Sequence, residues 1–310
     1  MRVLLTCPPM LGMKEAFISL YEAKGIDLHC PNVVQTISED ELVALMPNFD
    51  GWIIGDDPAT RRVFEAGKNG RLKVAVKWGI GVDNIDFVAA KDFGIQITNT
   101  PLMFGQEVAD LAMSYVLALA RETFLIDRNI RAGGWPKLRG MSLSGKTMLL
   151  VGFGDIGSNV ARRALASEMK VVVYDPVLAT APSIAGVELA KWPARVEEGD
   201  FIVLTCSLNA WNHHMLNEEV IARTKSGVRV VNVARGALID EVALIRALQS
   251  GHIHSAALDV FQIEPLAADS PLRTMERCIF GSHNGSNTED AVVRASKRAT
   301  QLLFDFLGVV

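Results

Sequence analysis

Short runs of apolar and β-branched residues alternate along the chain with longer stretches whose apolar positions recur every three or four residues. The short runs predict strands: RVLLT, GWIIG, KVAVKW and IQITN before residue 100, then TMLLVG, KVVVYD, DFIVLT, VRVVNV, SAALDV and CIFGS. Strands separated by helical stretches imply parallel sheets with right-handed crossovers. The longest helical pattern, QEVADLAMSYVLALARETFLIDRNIRAGGW, reads as one long helix ending near Gly133 and Gly134. It is too apolar for a solvated surface, so it is either buried between domains or packed against a second subunit. RGMSLSGK follows as a loop, and the strand of a second α/β unit comes next. The final stretch, EDAVVRASKRATQLLFDFL, predicts an amphipathic helix that packs back onto the first domain.

Length and composition narrow this picture. The 310 residues suggest two domains, and a 49% hydrophobic content supports a large core and argues against disorder. A formal net charge of -4 argues against nucleic acid or an acidic membrane as partner. No apolar run approaches the ~18–20 residues of a membrane span, and the N-terminus lacks the apolar region of a secretory signal. Cys7, Cys30, Cys206 and Cys278 are far apart and form no CxxC, which offers neither a disulfide framework nor a zinc site. A cytoplasmic protein with reduced cysteines and no metal is expected.

Candidate chemistry begins at TMLLVGFGDIGSNVARRALA. Gly152, Gly154 and Gly157 have G-x-G-x-x-G spacing between a strand and a helix, and the next strand ends in Asp175, ~20 residues on. Gly152 allows the tight turn, Gly154 lets backbone approach a pyrophosphate, and Gly157 lets helix and strand pack closely. Gly152, Gly154, Asp155, Ile156 and Gly157 are thus the expected cofactor contacts, with the helix N-terminus facing the phosphates. Asp175 would accept from the adenosine ribose hydroxyls and repel a 2′-phosphate, and PVLAT after it supplies no Lys or Arg. That favours NAD over NADP. A second cluster, KWGIGVDNID, follows a strand but breaks the dinucleotide pattern after Gly81. The amides of Gly79, Ile80 and Gly81 read equally as an anion-binding nest or as a tight turn.

In VVNVARGALID, Arg235 follows a buried strand at a place where a core would not take a guanidinium. Asp259, Glu264 and His283 come at or just beyond later strand ends. The carboxyl ends of strands form the ligand crevice of an open parallel sheet, so these groups converge where a nicotinamide would lie.

With these residues in place, the sequence resembles the D-isomer-specific 2-hydroxyacid dehydrogenase family. The matching segments are GIGVDNID, NTP, EVADLAMSYVLALAR, GW, LSGKTMLLVGFGDIG, VVNVARGALIDE, AALDVFQIEP and SHNGSNTEDA, in order from about residue 50 to 294. The resemblance implies two doubly wound parallel-sheet α/β domains, a Rossmann NAD-binding domain (99–283) inserted in a flavodoxin-like substrate domain (1–98 with 284–310). It implies Arg235, Glu264 and His283 as the catalytic trio and Asp259 at the nicotinamide end of the cofactor. Cys206, Val233, Ala234 and the turn Asn284 to Ser286, with Gly285 in it, then line the cofactor. Gly79, Ile80 and Gly81 receive the substrate carboxylate, and a homodimer forms through the long apolar helix. In the implied chemistry Arg235 presents a planar fork of donors to the acid. NADH gives a hydride to the carbonyl carbon and His283 a proton to its oxygen. Glu264 fixes the ring's tautomer and favours its protonated form.

Some positions depart from the family pattern. Asp155 stands where a basic or neutral residue is usual, and its carboxylate would face the pyrophosphate unless it turns to solvent. TCSLNAWNHH lacks the usual Thr and Pro, with Ser207 at the proline's place. In IIGDDPATRR, Asp56 and Asp57 occupy the place where phosphoglycerate dehydrogenases carry an arginine for the substrate phosphate. Arg61, Arg62 or Lys77 could compensate. The two aspartates, Asp57 foremost, either bind substrate hydroxyls or only cap the helix that follows. The segment pattern is nearest to phosphoglycerate dehydrogenase-like members without a regulatory C-terminal domain. The leading expectation is an NAD-dependent enzyme for a small D-2-hydroxy acid. The alternatives are D-3-phosphoglycerate dehydrogenase itself and an NAD(H)-sensing binding protein of the same fold.

Overall fold

Three-residue apolar runs such as VLL in β1 (Arg2–Leu5) and WII in β3 (Gly51–Ile54) leave no polar face, so these strands are covered on both sides, as parallel strands must be. The computed structural model describes residues 1–309. Its strands form two sheets among the described residues, each in its own unit: Met1–Met103 with the chain from Asn287, and Phe104–Ser286.

The first unit adds β2 (Asp27–His29), β4 (Val74–Lys77) and β5 (Gln96–Asn99), all parallel in the order β2-β1-β3-β4-β5, the flavodoxin-like doubly wound arrangement. Helices α1 (Pro8–Leu11), α2 (Glu15–Glu22), α3 (Glu39–Leu45), α4 (Arg61–Asn69) and α5 (Phe87–Asp92) connect them. Trp52, Phe64, Leu42 and Met46 centre the core on one side of the sheet. Ser38 and Glu41 form a capping box that starts α3.

The second unit opens with α6 (Gly105–Arg121) and α7 (Thr123–Arg131), two helices where the hydrophobic pattern predicts one. The break is Glu122, in the left-handed conformation at φ 56°. Its buried carboxylate turns inward to Arg229 at 3.6 Å and His254 at 3.5 Å. Seven parallel strands follow: β6 (Thr147–Val151), β7 (Lys170–Tyr174), β8 (Val187–Leu189), β9 (Phe201–Leu204), β10 (Val228–Asn232), β11 (Ile253–Leu258) and β12 (Cys278–Phe280). Their order, β12-β11-β10-β9-β6-β7-β8, reverses direction between β6 and β9 and so opens a crevice at the carboxyl end of β6. Helices α8 (Asp155–Ala166), α9 (Glu218–Arg223) and α10 (Glu241–Ser250) complete this Rossmann unit. The chain then returns to the first unit as α11 (Glu289–Leu307), the predicted amphipathic helix, with Ala291, Ala295, Ala299 and Leu303 along its buried face. Ser296 on that helix accepts from the Trp78 indole at 3.0 Å. Among the described residues, no helix is long and apolar enough to cross a membrane.

Candidate active site

At the carboxyl end of β6 the chain turns through Gly152, whose φ of 95° a side chain rarely adopts; a Cβ there would lie 2.7 Å from the Cys206 backbone. One on Gly157 would lie 2.1 Å from the Gly152 carbonyl. Both glycines are therefore demanded by close packing of loop and helix. The N-cap of α8 is Gly154, which brings no capping side chain to the first amides. Asp175 stands at the end of β7, with one carboxylate oxygen accepting from the Phe153 amide at 2.8 Å and the other from Val177 at 2.9 Å. It fixes the glycine loop and retains acceptor positions for hydroxyls. Burial pushes the Cys206 thiol up to about 11, so it is a neutral part of the wall.

Asp155 does not sit as expected. Its carboxylate packs against the bare Cα of Gly105, where a Cβ would lie 2.2 Å from Oδ1, at the first turn of α6. An anion is favoured there by the helix dipole.

The three expected catalytic residues gather beyond β10, β11 and β12. The buried Asn232 closes a turn around Arg235: its Oδ1 accepts from the Ala234 amide at 3.0 Å, and its Nδ2 donates to the Arg235 carbonyl at 2.8 Å. Gly236 brings this turn onto the next loop, since a Cβ would lie 1.9 Å from the Phe261 carbonyl carbon. Glu264 then holds two donors. Its Oε1 accepts from the Phe261 amide at 2.9 Å, and its Oε2 lies 2.8 Å from Nδ1 of His283. A carboxylate acceptor at that distance places a proton on Nδ1 and leaves Nε2 for proton transfer. His283 itself is left-handed, φ 56°.

Asp259, expected at the nicotinamide, is 2% exposed. Its oxygens accept from the amides of Asn284 at 3.1 Å and Gly285 at 2.9 Å, while its own carbonyl accepts from His283 at 2.7 Å. It also bonds the Tyr115 hydroxyl. Burial raises its carboxyl above the usual range against the pull of these amides and of His283. The position thus braces the histidine loop, a role the sequence did not suggest; Asn232 and Tyr115 were missed altogether.

In the first unit, the amide of Gly79 is already bonded to the Thr100 hydroxyl at 2.9 Å. Of the three amides expected to form a nest, those of Ile80 and Gly81 have no hydrogen bond among the described residues. Asp57 is corrected more fully. It is wholly buried, and its carboxylate accepts from the amides of Ile37 at 2.8 Å and Gly55 at 3.1 Å and from the Thr6 hydroxyl. It therefore staples three segments of the unit rather than facing a substrate. Nor does it cap α4, whose N-cap is Thr60. Asp56 is the partly exposed member of the pair, bonded by the buried Lys77 ammonium at 2.8 Å, which also donates to the Gly55 carbonyl.

The sequence profile of the D-isomer-specific 2-hydroxyacid dehydrogenase NAD-binding domain matches residues 113–285. A hydroxypyruvate reductase of Thermotoga maritima is 38% identical over 278 residues, which cover 88% of this chain and 90% of that protein. D-3-phosphoglycerate dehydrogenase 3 of Arabidopsis thaliana, a chloroplast protein, is 39% identical over 82% of this chain, but the match takes in 44% of the plant protein. Among solved structures, NAD-dependent formate dehydrogenase of Staphylococcus aureus in complex with NAD has a TM-score of 0.87 at 26% identity, over 99% of this chain and 96% of that one.

Proposed function

Because the chain belongs to the D-isomer-specific 2-hydroxyacid dehydrogenase family, we propose that it acts on a small, unphosphorylated 2-oxo acid with a hydroxyl on its third carbon, such as hydroxypyruvate. The broader activity is the family's: NAD-dependent hydride transfer between a D-2-hydroxy acid and its 2-oxo acid. The finer choice rests on one observation. Each cation near the Asp56 loop already faces a carboxylate: Lys77 meets Asp56, Arg61 meets Asp92, and Arg62 meets Glu39 and Asp40. A phosphate there would meet a carboxylate without a surplus positive charge, whereas a hydroxyl would find an acceptor in Asp56. The name of the Thermotoga relative agrees with this reading.

The second unit fits NAD through the bare Gly152 and Gly157, the uncapped start of α8 and the carboxylate of Asp175. Cys206, Val233, Ala234, Gly285 and Ser286 would line it. A carboxylate offers about four acceptor positions, and three donors on Asp259 leave room for one nicotinamide carboxamide N–H. When bound, the reduced cofactor supplies the hydride to the substrate's carbonyl carbon. In the first unit, the Ile80 and Gly81 amides would take a carboxylate oxygen. In the second, Arg235 would hold the acid by its planar fork, and His283 would pass a proton from Nε2 to the carbonyl oxygen while Glu264 fixes Nδ1. In the oxidative direction Nε2 takes the proton back.

Leu117, Phe124 and Ile130 on α6 and α7 are 48%, 49% and 40% exposed and support a homodimer through these helices. The four free cysteines fit a cytoplasmic setting. The test is NADH consumption with hydroxypyruvate, glyoxylate and phosphohydroxypyruvate, with His283→Ala as control. Hydroxypyruvate should be strongly preferred to its phosphorylated form. The reverse preference would replace this reading with D-3-phosphoglycerate dehydrogenase. Light scattering would test the dimer.

A further inference from the structure

Three successive backbone amides, those of His283, Asn284 and Gly285, end on one residue, Asp259. The first of them belongs to a histidine held in the left-handed region, which a β-substituted residue occupies only when its surroundings fix it. The position of the His283 ring therefore depends on Asp259 staying where it is, ionised and oriented. A buried carboxylate keeps its charge and direction only if donors surround it. Two of those donors are the loop amides it is meant to fix, so the remaining donor is an independent anchor.

That anchor is the Tyr115 hydroxyl, from the buried face of α6. The contact is built into the packing. A Cβ on Gly281 would lie 2.0 Å from Asp259 Oδ1 and 2.6 Å from the Tyr115 hydroxyl, so the bare glycine leaves the space these two oxygens occupy. Burial and the neighbouring carboxylate raise the phenol well above its ordinary range, so it remains a donor.

We infer that Tyr115 is a positioning residue for the reaction: its hydroxyl anchors the Asp259 carboxylate that in turn sets the backbone of the His283 loop. This rests on the reading that His283 carries the proton. Tyr115 acts on proton transfer through two intermediaries, so it bears on turnover more than on substrate affinity. The titratable groups facing Asp259 are Tyr115 from α6, Glu264 from the loop after β11 and His283 from the loop after β12. Loss of the hydroxyl removes a donor to the charged form, so Asp259 protonates at higher pH and the loop loosens there.

The experiment is Tyr115→Phe in the full-length enzyme, with kcat, KM and the pH profile measured on hydroxypyruvate or the best substrate of the panel. The loss of one hydrogen bond to a charged group should lower kcat by about 10-fold, with substrate KM changed by less than about twofold. The acid limb of kcat should move to higher pH. Tyr115→Met, which fills similar space with no hydroxyl, should reproduce both changes, and NADH fluorescence verifies that each variant is folded. A wild-type kcat and acid limb in either folded variant, with His283→Ala inactive, overturns the role of Tyr115 alone. Turnover surviving in His283→Ala overturns the reading of His283 and the inference with it.

Discussion

Glu264→Gln is the sharpest probe of the dyad because the structure says where each atom of the new amide must go. Glu264 now serves two N–H donors, the Phe261 amide at 2.9 Å and His283 Nδ1 at 2.8 Å. Glutamine has one carbonyl oxygen and one amide nitrogen, so it cannot accept from both. If the oxygen stays on the Phe261 amide, the new NH2 faces Nδ1, a donor against a donor. His283 must then shift its proton to Nε2 or swing away. Either response removes the state that passes a proton from Nε2 while Nδ1 remains held.

The lost bond involves an ionised acceptor, worth about 1.5–3 kcal/mol, or roughly a 10- to 150-fold fall in kcat/KM. Both groups are about one-fifth exposed, so water partly screens the loss and the lower half of that range is expected. The forward and reverse reactions must slow in the same proportion, because the overall equilibrium is independent of the enzyme. Substrate KM should stay within about threefold, since the proposed reading gives the holding of the acid to Arg235 rather than to Glu264. The assay is NADH consumption with the preferred 2-oxo acid and NADH formation with the matching D-2-hydroxy acid. Retention of more than about half the wild-type kcat/KM would show that the carboxylate is not what readies His283.

Three further outcomes follow from other parts of the molecule. Asp57→Ala leaves the buried Ile37 amide without its acceptor and takes one partner from the Gly55 amide and the Thr6 hydroxyl, which keeps the Ile53 carbonyl; it should cost about 2–3 kcal/mol of stability in the first unit, read as a lower urea midpoint. Gly105→Ala drives a methyl onto Asp155 and should weaken NADH binding by about tenfold; Gly105→Ala with Asp155→Gly should recover it, and an unchanged affinity in the single variant would refute the packing account. His254 is held down at about 4 from 6.5, by burial first and then by Arg229 and Arg277. The unfolded chain therefore binds the extra proton between those values, so stability falls as pH drops through that window, by about 2–4 kcal/mol. His254→Gln should flatten this fall in urea titrations at about pH 7 and pH 4; an undiminished slope counts against it.

Much of the fold was legible because the parallel strands are covered on both faces, so their apolar runs stand out. The edge strands β2 and β8 were not, since DLH and VEL carry no such run. The end of the first long helix was hidden for a different reason. Nothing local stops a helix at ARETF; Glu122 takes a left-handed backbone while its carboxylate meets Arg229 and His254, both more than a hundred residues away. Propensity cannot report a break made by a side chain's tertiary contacts.

At the site, the same distinction separates what was visible from what was not. Arg235, Glu264 and His283 could be picked out because a charged or titratable residue just after a buried strand is conspicuous, and strand ends share one edge of the sheet. Their supports are inconspicuous in sequence. Asn232 reads as the polar end of a strand, and Tyr115 as one more core residue of an apolar helix, yet their polar atoms orient the Arg235 turn and bond to Asp259. Asp57 shows the converse. An aspartate beside a proline looked like a ligand or a cap, whereas burial makes it a three-way staple and leaves Asp56 as the partly exposed carboxylate. Which of two adjacent acids is buried as a staple and which is left partly exposed is decided by one residue of register at the end of β3, and register is set by the sheet as a whole. For that reason Asp56, rather than Asp57, carries the proposed choice of a hydroxyl over a phosphate.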